Sequence, residues 1–160
     1  MSWSATATQP GLASIKSAAG LARLRAAVRG DRAAHPCDVI SVYLHAGVEL
    51  NVCPTARQRL VARDLAADGA NVVLMSHAHV RQPGSMLGRT AVDYGLGNFV
   101  FAGHSGATSQ TGVLTVDIPK AGPPKQTWHP ARIVDGLPAM LTGADARAAA
   151  AKWRNLDHGC

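Results

Sequence analysis

Residues 38–77 constrain this chain more than any other stretch, because they read as a strand–helix–strand unit with a histidine at the end of each strand. The segment DVISVYL, Asp38 to Leu44, is rich in β-branched and aromatic residues and apolar on both faces, the pattern of a central strand in a parallel sheet. It runs into His45. Thr55 and Gln58 then have the spacing of a capping box, and Leu60, Val61 and Leu65 supply one apolar stripe. Together they predict a helix from Ala56 to Asp68, with Gly69 as its left-handed stop. NVVLMS, Asn71 to Ser76, is a second apolar strand and finishes at His77. Such a crossover is almost always right-handed with parallel strands, so His45 and His77 are expected at the same carboxyl edge of the sheet.

Upstream, Leu21, Leu24, Ala27 and Val28 recur at helical spacing and predict an amphipathic helix to about Ala34, ended by His35 and Pro36. Residues 1–19, rich in Ala, Ser, Thr, Gln, Pro and Gly, read as a flexible leader. Downstream, Met86 and Leu87, a Gly88-Arg89 turn and TAVDYGL predict a hairpin, and GVLTVDI, Gly112 to Ile118, a further strand. PKAGPPK is a turn-rich linker, Thr127 to Val134 adds an edge strand, and the alanine-rich run from Ala144 makes a last helix. The expected class is α/β: a parallel strand–helix–strand unit continuing into a mixed sheet with hairpins. Its divisions are a leader (1–19), a main domain (20–140) and a C-terminal helix and tail (141–160).

At 160 residues, 47% hydrophobic and 16% charged, the composition is that of a folded globule, neither disordered nor membrane-like. No apolar run approaches the roughly 20 residues that span a bilayer, and MSWSATATQPG lacks a basic opening and an apolar signal core. On that ground alone a cytoplasmic location is expected. The net charge of +6 favours acidic partners such as phosphates or polyanions. The arginines of the two helices (Arg23, Arg25, Arg29, Arg32; Arg57, Arg59, Arg63) have no aromatic residues interleaved, which argues against nucleic acid and for a solvated helix face. Cys37, Cys53 and Cys160 are widely spaced and odd in number, and read as incidental thiols.

The chemistry concentrates in His77-Ala78-His79, since in an extended loop residues two apart project to one side, and His45 joins them through the sheet. Imidazoles suit Zn, Mn or Fe better than Ca or Mg. Three nitrogens are too few for a two-metal hydrolytic centre, which needs carboxylates to bridge its ions. The nearest carboxylate is Glu49, as a ligand, as a residue that holds His45, or as a plain surface side chain. In Gly95-Leu96-Gly97-Asn98-Phe99 a tight turn is expected to carry Phe99 and Phe101 into the core and leave the Asn98 amide near the histidine edge. His104 reads as a solvated loop residue, and His35, His129 and His158 as structural or exposed. No GxSxG elbow surrounds Ser76, Ser105 or Ser109.

Three blocks, in order, resemble the CapA family of bacterial capsule and poly-gamma-glutamate synthesis proteins. DVISVYLHAGVEL is similar to that family's strand ending in His-Trp-Gly-x-Glu, matching at His45, Gly47 and Glu49. ADGANVVLMSHAHVRQP resembles its Gly-Ala-Asp-Val-Val strand and His-Pro-His-Val-x-Gln loop, and DYGLGNFVF its Ser-Leu-Gly-Asn-Phe-Val-Phe block. The resemblance, from about Ser14 to Pro138, implies a calcineurin-like metallophosphoesterase fold. It implies metal-site roles for His45, His77 and His79, catalytic motif positions at Glu49 and Asn98, and a divalent transition metal (Mn, Zn or Fe), with two ions in a complete member. It also implies a phosphorylated substrate or anionic polymer and a place at the cell envelope. Ala46 stands where the family has Trp, and Ala78 where it has Pro, which loosens the pocket wall and loop.

The family's N-terminal Gly-Asp, Asn-Leu-Glu and Asn-Asn-His motifs have no counterpart in these residues. The expectation is therefore a C-terminal part, from a truncated product or fragment, that is a phosphoric-ester hydrolase only if the missing ligands are supplied. The alternative is a noncatalytic module that binds an anionic polymer, or pairs with another copy or a partner subunit through its sheet surface.

Overall fold

The computed structural model describes residues 4–102 and 105–160, residue 158 by its backbone only. The readings of His104 and of the His158 side chain therefore fall outside the described residues. The α-helices and strands in chain order are α1 (Ala18–Ala34), β1 (Ser41–His45), α2 (Ala56–Ala67), β2 (Val72–Ser76), β3 (Gly84–Leu87), β4 (Thr90–Asp93), β5 (Gln110–Asp117), β6 (Lys125–Val134), β7 (Leu137–Met140) and α3 (Gly143–Arg154). β1, β2 and β4 run parallel, and β3 closes the sheet antiparallel to β4, in the order β1-β2-β4-β3. The class is α/β, with the parallel unit continuing into a mixed sheet as its strand–helix–strand punctuation requires. α2 starts on the capping box: the Thr55 hydroxyl oxygen accepts from the Gln58 N–H at 3.1 Å, and Gln58 Oε1 accepts from the Thr55 N–H at 2.9 Å.

Register builds the core. Val42 lies beside Val73, Val73 beside Val92, and Leu44 beside Met75, so one apolar row crosses all three parallel strands. Leu21 and Val28 of α1 and Val61, Ala62 and Leu65 of α2 cover that row. Each such aliphatic side chain, once buried, contributes about 1.5–3 kcal/mol.

The structure departs from the sequence reading in several places. β1 is not a central strand: among the described residues it pairs with β2 alone and so forms an edge of the sheet, and Tyr43 is exposed to 61% while Val42 and Leu44 are buried because only one of its apolar faces is covered. The strand predicted over 112–118 does not extend the first sheet. It forms with β6 and β7 a separate antiparallel sheet in the order β5-β6-β7, which makes β6 its middle strand rather than an edge, and β7 is an element the sequence reading lacks. α3 joins this second sheet through Trp153, whose ring stacks on that of Trp128 with centroids 5.7 Å apart. Gly112 allows the approach, since a Cβ there would stand 2.6 Å from the Trp128 ring and 2.5 Å from the His129 carbonyl oxygen. Among the described residues no helix is long and apolar enough to cross a membrane.

The basic face of α1 is not simply solvated. Arg25 and Arg29 both bind the Asp68 carboxylate, at 2.6 and 2.9 Å, and Arg25 also reaches Asp64 at 3.2 Å. The Arg25 hydrogen bond is the main reason the Asp68 carboxyl lies below the usual carboxylate range. Arg32 donates to the carbonyl oxygens of Gly69, Pro36 and Asp38 and to the Asn71 side chain, tying the end of α1 to the turns before β1 and β2. At its other end the helix is capped by Ser17, and the preceding Ile15 packs on the core while its carbonyl accepts from Arg57 at 2.9 Å.

Two of the three cysteines are not incidental. Cys53 and Cys160, 107 residues apart, form a disulfide that ties the C-terminus to the loop after β1, leaving Cys37 as an exposed thiol. Spacing had hidden the pair, because proximity across so long a separation is a property of the fold. A cross-link closing so long a loop removes much of the freedom of the unfolded chain. The Cys53→Ser/Cys160→Ser double variant is expected to lose about 2–4 kcal/mol in urea unfolding; an unchanged midpoint would show that the bond contributes nothing.

Asp93 is wholly buried, and desolvation pushes its pKa up from 3.8 to about 7 against the opposing influence of the Gly95 N–H, Trp153 and Arg81. The folded chain thus holds this proton more tightly than the unfolded one. The associated stability is fully present below about pH 4 and is lost as pH rises through about 7. Asp93→Asn, which cannot ionise, is expected to match the parent near pH 4 and to exceed it by roughly 3–4 kcal/mol at pH 8. Parallel melting curves for the two proteins across that range would contradict the assignment.

Candidate functional site

The parallel register sets His45, the last residue of β1, level with Ser76, the last residue of β2. His77 follows directly, and the two imidazoles meet: His45 Nε2 and His77 Nδ1 are 2.9 Å apart, with ring centroids at 4.8 Å. The loop that carries the second and third histidines is a strained bend, not the extended segment the spacing suggested. His77 has φ +140° and His79 φ +59°, while Ala78 between them is buried. For a non-glycine residue such a conformation costs on the order of 1–3 kcal/mol and persists only where neighbours impose it. One neighbour is the β1–α2 loop, whose Leu50 N–H donates to the Ala78 carbonyl at 2.8 Å.

His79 stands farther off, its ring 6.5 Å from that of His77. Asn98, buried in the loop after β4, accepts from His79 Nδ1 at 2.6 Å through its side-chain oxygen, which fixes the proton on Nδ1 and leaves the Nε2 lone pair free. Asn98 is itself held: its amide donates to the Thr108 carbonyl at 3.1 Å, and its own carbonyl accepts from the Thr111 hydroxyl. Neither Phe99 nor Phe101 enters the core. They are 47% and 39% exposed, because the turn carries them outward, and the Phe101 ring lies 5.0 Å from that of His79. Glu49 is exposed, and its carboxylate makes no hydrogen bond or ion pair with any described residue.

Two residues that the sequence reading did not assign to the site hold these loops in place. Gln58 Nε2 lies 3.3 Å from the Ala46 carbonyl oxygen, 2.9 Å from that of Tyr94 and 2.8 Å from Gln82 Oε1. Gln82 Nε2 in turn donates to the carbonyls of Asn51 and Cys53. Both amides are buried. The available sign was Gln82 closing the His-x-His-Val-x-Gln run; Gln58 showed in the sequence only its part in the capping box.

The donors suit part of a metal site. A tetrahedral ion at 2.0–2.1 Å separates its nitrogen ligands by about 3.3 Å, so the facing His45 and His77 nitrogens are close to the spacing one borderline transition metal would impose. Among the described residues, however, no three His, Cys, Asp or Glu side chains stand together as a ligand set. A two-ion hydrolytic centre, which needs bridging carboxylates, does not fit these residues.

Comparison with known proteins identifies the family of this chain. The profile of the bacterial capsule synthesis protein family PGA_cap matches residues 1–103, a span that includes the histidines and Asn98. The PGA biosynthesis protein CapA of Bacillus subtilis (strain 168) is 31% identical over 104 residues, 65% of this chain and 27% of that protein. The capsule biosynthesis protein CapA of Bacillus anthracis is 28% identical over 107 residues, 67% of this chain and 26% of that protein. The chain thus spans about a quarter of the length of these relatives. With well over half of its residues matched, this chain belongs to the bacterial capsule synthesis family PGA_cap.

Proposed function

We propose that this chain acts in capsule or poly-gamma-glutamate biosynthesis, as the histidine-bearing part of a metal-dependent phosphoester-processing site. The observation that carries the reading is the convergence of His45 and His77, 2.9 Å apart, from adjacent parallel strand ends in a member of this family. His79, with Nε2 left free by its bond to Asn98, is the third nitrogen of the set. A Zn, Mn or Fe ion bound there would supply Lewis acidity toward a phosphoryl or acyl oxygen. The chain's own residues hold the imidazoles in place: Asn98 fixes the His79 tautomer, and the bend at Ala78 brings His77 against His45. Carboxylates to complete a two-ion centre have to come from outside this cluster, so the chain alone is proposed to be inactive. The Cys53–Cys160 bond supports an oxidising location such as the envelope.

A second reading, an interaction module without catalysis, is favoured by one observation. β1 is an unpaired edge, and Tyr43, Val48, Leu50, Phe99, Val100 and Phe101 are exposed on the described surface. Such residues suit another subunit or a second copy.

Two measurements test these readings. Metal titration of the full chain is expected to give saturable Zn or Mn binding that weakens by more than about tenfold in His77→Ala/His79→Ala; equal affinity in parent and variant removes the metal reading. Sedimentation velocity is expected to show a monomer if the edge needs no partner, and reversible association if the second reading is right.

A further inference from the structure

The basic surplus has one unusual member. Arg81 is 7% exposed, the one buried cation among the described residues, yet it has no carboxylate within 4.0 Å. Among the described residues its side chain binds only the neutral Gln110 amide oxygen. Burial weighs against its charge, with Asp93 acting on it only at longer range, but a guanidinium stays charged at neutral pH. A buried charge without a counterion is costly, and among the described residues Nη2 alone of its donor nitrogens has a protein partner.

Arg81 lines a pocket of about 390 Å³ between the second sheet and α3. β-sheet register places Arg132 directly opposite Gln110, the residue Arg81 binds, so two guanidinium-bearing side chains flank one amide. The opposite wall is one stripe of α3: Asp145, Ala148, Ala149 and Lys152 have helical i, i+3, i+4, i+7 spacing. The two alanines leave the space open, and Lys152 adds a third cation at the far end. Asp145, the one carboxylate in the lining, sits in the first turn of α3, where the helix dipole favours it. Gly97, with φ +75°, passes behind Arg81 where a Cβ would stand 3.3 Å from the Arg81 side chain. The pocket thus has three cations against one carboxylate, and its buried member has free donors.

We propose that this pocket binds an oxyanion, a carboxylate or a phosphate, with Arg81 as its buried anchor and Arg132 and Lys152 at its rim. Both ligand types present paired oxygens that match a guanidinium fork. None of His45, His77 and His79 lines this pocket, and the proposal does not depend on the function proposed for them.

Isothermal titration calorimetry of the full chain with inorganic phosphate, and separately with glutarate, tests the proposal. Saturable binding by one or both probes, weakened by added salt, is expected, and the preferred probe distinguishes phosphoryl from carboxylate ligands. Arg132→Gln/Lys152→Gln, at exposed positions that leave the fold intact, should weaken it by at least about fivefold. Arg81→Gln should weaken it by about tenfold or more, while His77→Ala/His79→Ala leaves it unchanged. No saturable heat with either probe up to about 10 mM would overturn the proposal. So would binding that persists unaltered in the Arg132→Gln/Lys152→Gln variant, or binding that is lost only with the histidines.

Discussion

The carboxyl edge of the first sheet depends on two buried side-chain amides. Gln58 and Gln82 form a relay that reaches carbonyls at Ala46, Asn51, Cys53 and Tyr94, so that the loops after β1, β2 and β4 are linked through one pair of glutamines. Each of these loops carries or adjoins a residue of the candidate site. An amide is suited to this task because it donates and accepts without charge, and burial strengthens its bonds while making any unpaired group expensive. Removing either glutamine side chain would leave several loop carbonyls without their donors at once.

Strain is the counterpart of that rigidity. Positive φ angles at His77 and His79 occur where the relay and the Leu50–Ala78 hydrogen bond hold the neighbouring backbone on both sides. Parallel pairing delivers His45 and Ser76 to the same level, and the bend then turns His77 back toward His45. The facing imidazoles are therefore a product of register and loop strain together. The buried Ala78, where the family resemblance has proline, leaves the bend to be imposed by hydrogen bonds rather than by a ring.

Local punctuation made the first half of the fold legible in the sequence. The capping box at Thr55 and Gln58, the Gly69 stop and the two apolar strands are interactions within a few residues, and they place His45 and His77 at one edge without further information. What the residues alone left hidden depends on contacts across the chain. The edge position of β1 is one such case, since a strand apolar on both faces reads as central and only the fold decides that it has a neighbour on one side and a cover on one face. The Cys53–Cys160 bond, the outward turn of Phe99 and Phe101 and the separate second sheet are others. Asn98 was placed near the histidines by turn chemistry, but its grip on the His79 tautomer requires Thr108 and Thr111 from the next elements.

Charge follows the same division between local and distant. A net charge of +6 expresses only a preference for acidic partners. The fold then consumes part of that surplus: Asp64 and Asp68 neutralise Arg25 and Arg29, and backbone carbonyls satisfy Arg32. Those arginines stabilise the α1–α2 packing and are not available to a ligand. Arg81 is different, because it is buried beside a neutral amide and faced by further cations across a cavity. The buried carboxyl nearest to it in effect, Asp93, is itself pushed toward its neutral form at pH 7 and so offers only partial compensation. An excess that composition spreads over the whole chain is thereby concentrated at one place, in a pocket lined by none of the site histidines, where an external anion would complete an interaction the protein leaves open.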